Sequence, residues 1–144
     1  MELKLIELTH INDVCKAYEI YKHCMFMPTE EKFNNKMNAF LLDNSVKILA
    51  CFDQDEMVGV IVISFLEQDK IEILGIAVDL SVRSRGIGSY MINQVVNDYG
   101  LHFVYAETDS DAIAFYKNNG FSVTEFSKIY GGENVIRYKC EFRR

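Results

Sequence analysis

The run Arg83-Ser84-Arg85-Gly86-Ile87-Gly88 constrains this chain more than any other segment. Before it lies a near-continuous apolar stretch, Ile71 to Val78, that reads as a strand. After it, Ile87, Tyr90, Met91, Gln94, Val95 and Asp98 recur with a period near 3.6, which predicts an amphipathic helix over Ile87 to Tyr99, ended by Gly100. A strand that enters a helix through a short glycine turn presents backbone N–H groups that the helix cannot use. Those groups and the helix dipole together make a phosphate site. Gly86 and Gly88 have no side chain to keep a pyrophosphate away from the backbone, and Arg83 and Arg85 add positive charge. Residues Arg83, Ser84, Arg85, Gly86, Ile87, Gly88 and Ser89 therefore form a candidate site for a diphosphate-bearing cofactor. The plainer alternative is a basic turn that only caps a helix.

The pattern discriminates among phosphate loops. No G-x-x-x-x-G-K-[ST] string occurs, and a G-x-G-x-x-G fingerprint fails because Met91 stands at its third glycine. That disfavours a nucleotide-binding α/β domain. What stands is Arg-x-x-Gly-x-Gly. Downstream, Ala106-Glu107-Thr108-Asp109-Ser110-Asp111-Ala112-Ile113-Ala114-Phe115-Tyr116-Lys117-Asn118-Asn119-Gly120-Phe121 ends a short helix in Phe-Tyr, polar residues and Gly-Phe. In this order the two blocks, spanning Ile71 to Val123, resemble the GNAT superfamily of N-acetyltransferases. The segment before Phe65 carries only a compatible layout of elements.

That resemblance implies an α/β fold with a mixed, mostly antiparallel central sheet of about six to seven strands flanked by about four helices. It implies acetyl-CoA as co-substrate, with Ile76, Ala77 and Val78 contributing backbone to the coenzyme beside the Arg83–Ser89 loop, and Asp109 and Tyr116 adjoining it. Tyr116 matches the family tyrosine that protonates the leaving thiolate. Two positions depart from the usual pattern. Leu80 stands where proline is common, and Asp109 replaces the asparagine that commonly begins the helix before the tyrosine.

The residues support a chemistry of their own. Gly75 interrupts the apolar run, and a glycine inside a strand marks either a bulge or crowding beneath a helix. A bulge would free the N–H groups of Ile76 and Val78 to bind amides and polarise a thioester carbonyl. Acyl transfer to an amine also needs a base for the amine and an acid for the thiolate. Tyr116, with a reference pKa of about 10, is protonated at neutral pH. It reads either as that acid or as a core tyrosine, with Phe115 the neighbour better suited to the core. Glu72 and Glu107 are the candidate bases, one on each strand expected to flank the thioester; Glu107 alternatively bridges Arg83 or a lysine.

Bulk properties narrow the classes further. The 144 residues make a single domain, 1–144, that can bury roughly 68–70% of its unfolded surface. A net charge of −6 argues against nucleic acid, which demands a basic footprint. No apolar run reaches membrane-spanning length, and the N-terminus lacks the form of a signal peptide. Cys15, Cys24, Cys51 and Cys140 are scattered, which reads as core or half-exposed thiols in a reduced cytoplasm, with no metal site.

The rest of the chain reads as a strand from Leu3 to Glu7, a helix from Ile11 to Lys22, and a second helix after Pro28 capped by Thr29. Strands follow over Ser45–Phe52, Met57–Phe65, His102–Glu107, Phe121–Phe126 and Val135–Phe142, the last two joined by a Gly131-Gly132 turn. The leading reading is an acetyl-CoA-dependent N-acetyltransferase acting on a small-molecule or peptide primary amine, with a homodimer allowed. The alternative is a non-catalytic acyl-CoA-binding sensor or regulatory subunit.

Overall fold

The computed structural model describes residues 1–144. Its seven strands are β1 (Leu3–Leu8), β2 (Val46–Asp53), β3 (Glu56–Glu67), β4 (Lys70–Val78), β5 (Phe103–Thr108), β6 (Ser122–Tyr130) and β7 (Glu133–Arg143). They form one sheet in the order β1-β2-β3-β4-β5-β7-β6. Every neighbouring pair is antiparallel except β4–β5, which the crossover helix α3 (Ile87–Tyr99) makes parallel. The other helices are α1 (residues 11–24), α2 (Glu30–Leu42) and α4 (Ile113–Asn118). This is the mixed, mostly antiparallel α/β sheet expected from the sequence.

Local chemistry explains most element ends. Thr29 accepts the Lys32 N–H at 3.1 Å, with Glu30 and Glu31 filling the first turn of α2. In the β6–β7 turn Gly131 and Gly132 both have positive φ, 56° and 84°, the requirement of a tight two-residue hairpin. Such a turn preserves strand twist, so pairing continues to Tyr130 and Glu133 and both strands outrun their sequence-based ends. Segment α1 departs from the regular helix expected there: α turns alternate with 3-10 turns at Cys15–Ala17 and Lys22–Cys24. Its buried residues Val14, Ala17 and Ile20 are spaced by three, which a winding of three residues per turn keeps on one face.

The sheet is covered unequally. On one face α3 and α4 pack Ile87, Met91, Val95 and Tyr116 against Ile61, Ile73, Val104 and Ala106. On the other, α1 and α2 bury Tyr21, Phe33 and Met37 against Ile48, Val60, Val62 and Ala77. The second layer stops near β4. Past it, the face that carries Glu72, Tyr105 and Glu107 stays open, because these residues alternate with the buried Ile71, Ile73, Val104 and Ala106.

Candidate active site

The site begins where β4 and β5 part. Lys70–Ile73 pair with Phe103–Ala106, and no pairing follows, although β4 runs on to Val78 and β5 to Thr108. The cause is a bulge. Val62 pairs with Gly75 and Ile63 with Ile73, so Leu74 is an extra residue in β4. Both sequence readings of Gly75 hold, since a Cβ there would also collide with the Tyr21 hydroxyl beneath it. Beyond the bulge the Asp79 N–H donates to the Val58 carbonyl at 2.9 Å. Strand alternation therefore turns the Ile76 and Val78 N–H groups the other way, into the opening, and the intervening Ala77 back toward β3.

The basic glycine loop adjoins this opening at the carboxyl end of β4, where ligands of such crevices bind. Gly86 is the residue before α3 and has φ 79°; Ser84 has φ 64°. No side chain caps α3, and Tyr90 is the first residue to bond back, so the N–H groups of Ile87, Gly88 and Ser89 precede the first intrahelical bond. Arg83 and Arg85 are exposed and make no ion pair. Unpaired cations, free helix N–H groups and two unpaired strand donors fit a diphosphate carrying an amide-rich arm. Gly88 has a further reason. It is buried, and a Cβ there would meet the Phe115 ring at 2.8 Å, so it also makes room for α4.

Tyr116 also differs from the sequence reading. It is 4% exposed, while Phe115 is only half-buried against α3. Tyr116 sits edge-on between the Phe115 and Phe121 rings, at 5.2 and 5.1 Å between centroids. Its hydroxyl makes no hydrogen bond within the chain, and burial raises its pKa far above the usual phenol range, so it stays protonated. Asp109 caps the turn before α4, accepting the Asp111 N–H at 3.0 Å.

On the open face the two carboxylates differ. Glu107 accepts the Tyr105 hydroxyl at 3.0 Å on Oε2 and the Lys128 ammonium at 3.4 Å on Oε1, a lysine partner rather than Arg83. Glu72 has no hydrogen bond or ion pair. Burial and then the neighbouring Glu107 charge raise its pKa, with Lys128 opposing. Tyr105 pairs in register with Glu72, and its hydroxyl is pushed up to about 12, by burial first and then by its bond to Glu107. Sequence reasoning did not find Tyr105 and Lys128 as the partners of Glu107, nor the Tyr21 hydroxyl beneath Gly75.

The acetyltransferase (GNAT) family model matches residues 14–121. No curated protein matches the chain. Among solved structures, a GNAT family acetyltransferase from Elizabethkingia anophelis with acetyl-CoA bound superposes with a TM-score of 0.72 at 15% identity, covering 99% of this chain and 98% of that one. A variant of the spermidine N-acetyltransferase from Vibrio cholerae gives 0.75 at 14%, covering 98% and 93%. The ribosomal-protein-S18-alanine N-acetyltransferase from Escherichia coli gives 0.72 at 16%, covering 99% and 94%. The family match spans most of the sequence, and this chain belongs to the GNAT acetyltransferase family.

Proposed function

We propose that this protein transfers the acetyl group of acetyl-CoA to a primary amine by direct attack on the thioester. The observation that carries the reading is the β4–β5 opening, bordered by β4 N–H groups that no strand uses and by the basic glycine loop. When bound, acetyl-CoA supplies an activated acyl carbon and a thiol leaving group. Arg83 and Arg85 with the N–H groups of Ile87, Gly88 and Ser89 hold the diphosphate, with Ser84 and Gly86 shaping the turn. Asp109, already engaged as a cap, borders this site rather than donating to it.

The N–H groups of Ile76 and Val78 hold the arm and polarise the acyl carbonyl. Tyr116 gives its proton to sulfur as charge builds there. Glu72 takes the proton from the incoming ammonium, directly or through water, and Glu107 keeps the Glu72 carboxylate basic. The carboxylates on this face also attract a cationic acceptor, a small molecule or a peptide amine. No helix is long and apolar enough to cross a membrane, and all four cysteines are free, which supports a reducing cytoplasmic setting.

The test is release of coenzyme A thiol from acetyl-CoA against a panel of polyamines, amino acids, aminoglycosides and peptide N-termini. Amine-dependent turnover is the expected result. Binding of acetyl-CoA with no thiol release across the panel would overturn it in favour of an acyl-CoA-binding subunit.

A further inference from the structure

The open face of the sheet holds two cations that no carboxylate of the chain neutralises. Arg137 and Lys139 are alternate residues of β7. They point away from the side of the buried Cys140, to the face that carries Tyr105 and Glu107. Neither makes an ion pair. Arg137 is half-buried, and its Nε is sealed from solvent without a hydrogen-bond partner. Buried polar nitrogens are ordinarily satisfied, so this one calls for an explanation. The carboxylates nearest in register are all engaged. Glu107 is held at both oxygens by Tyr105 and Lys128, Asp109 caps the turn before α4, and Glu141 pairs with Arg143 at 2.8 Å. Lys139 leans over the Phe126 ring at 5.0 Å, and Phe126 is the register partner of Arg137.

Register fixes where this group stands. Thr108 and Tyr138 are the last β5–β7 pair, so Arg137 lies one step further on, along the stretch where β4 and β5 have already parted. In the sheet β7 is two strands from β4. That is roughly 10 Å at about 4.8 Å per strand, a gap that an arginine side chain and a small molecule bridge together.

We propose that the acceptor is an amino acid: Arg137, with Lys139 beside it, holds the carboxylate of a molecule whose amine lies at Glu72. The inference rests on the reading of the β4–β5 opening as the site of acetyl transfer. A carboxylate meets Nε and one Nη of a guanidinium side-on, with two parallel hydrogen bonds, and so gives the Arg137 Nε the acceptor that the chain does not. Glu72 and Glu107 suit the ammonium end, and the two free cations suit the carboxylate end. A polyamine or an aminoglycoside would instead bring further positive charge to Arg137. In the transfer the nitrogen–carbon bond forms as the carbon–sulfur bond breaks. The nitrogen gives up two protons, one to Glu72 and one that replaces the proton Tyr116 gives to sulfur. The acceptor carboxylate takes no part in these steps and serves only to place the amine.

The experiment measures thiol release from acetyl-CoA with matched acceptors: α- and ω-amino acids against their carboxamides and against the amines that lack the carboxyl group. Calorimetry reports acetyl-CoA binding. The kcat/KM for the free acid should exceed that for its carboxamide by about a hundredfold, most of it in KM. Arg137→Gln, folded by circular dichroism and still binding acetyl-CoA, should bring the acid down to the level of the carboxamide. Arg137→Lys keeps the charge, loses the fork and should recover only part of the preference. Carboxamides or polyamines turned over as well as amino acids would overturn this proposal and leave amine acetylation standing, and that comparison needs no variant. An equal loss on acids and carboxamides in Arg137→Gln would also overturn it, since Arg137 would then act through Glu107. Acetyl-CoA bound with no thiol release from any amine would overturn this proposal and the acetyltransferase reading together.

Discussion

Glu72 and Glu107 lie on the same face of adjacent parallel strands, and one is tied down while the other is free. Glu107 is bonded at both oxygens, by Tyr105 and by Lys128, whereas Glu72 has no partner. Burial and the Glu107 charge raise the Glu72 pKa, so its proton affinity moves toward that of a working base.

The pH profile of kcat/KM should report this pair. A base must be deprotonated to act, so Glu72 sets an acidic limb, and Glu72→Gln should remove that limb and lower the plateau. Glu107→Gln deletes a neighbouring negative charge, lowers the Glu72 pKa and should move the limb to lower pH. Lys128→Met deletes an opposing positive charge and should move it to higher pH. Parental profiles in all three would return the chemistry to substrate basicity and water.

The Arg83–Ser89 loop should respond to backbone and to charge separately. Gly86 has φ 79° with open space around its Cα, so Gly86→Ala meets backbone strain alone, about 1–2 kcal/mol. Denaturant melts would measure it. Gly86→Glu adds a like charge at the diphosphate and should abolish acetyl-CoA binding by calorimetry in a folded protein. Arg83→Ala and Arg85→Ala should each weaken binding by about tenfold, the loss shrinking as salt rises.

Tyr116→Phe tests the general acid. The residue is buried but its hydroxyl makes no hydrogen bond within the chain, so removing that hydroxyl should leave stability nearly unchanged. The kcat should fall by about a hundredfold, the low end for general acid assistance because a thiol is a fair leaving group. Coenzyme affinity should hold, since the bond strengthens only as charge develops. An unaltered kcat would return Tyr116 to packing.

Alkaline stability offers a check independent of activity. Tyr21, Tyr116 and Cys51 all have folded-state pKa values raised by burial. Each favours the protonated form in the folded chain, so their stability is fully present below the unfolded pKa, about 8.5 for cysteine and 10 for tyrosine. Above it the unfolded state releases protons that the native state keeps, and stability falls by about 1.4 kcal/mol per pH unit per group. Urea midpoints should therefore drop steeply from pH 9 to pH 11, and Tyr21→Phe should flatten the slope above pH 10.

Local features were legible in the order of the residues. The ends of α3 at Ile87 and Tyr99, the Thr29 cap, the Gly131-Gly132 turn and the basic glycine loop were all legible, because capping, turn chemistry and periodicity act over a few residues. Even the Gly75 bulge showed, since a glycine in an apolar strand needs a reason. Register and packing between distant segments settled the rest. They put Tyr116 rather than Phe115 in the core and gave Gly88 to the Phe115 ring. They paired Glu107 with Lys128 while leaving Glu72 free, and they brought the Tyr21 hydroxyl beneath Gly75 across about fifty residues of chain. Those outcomes follow from which side chains reach a shared space first, and no window of neighbouring residues contains that information.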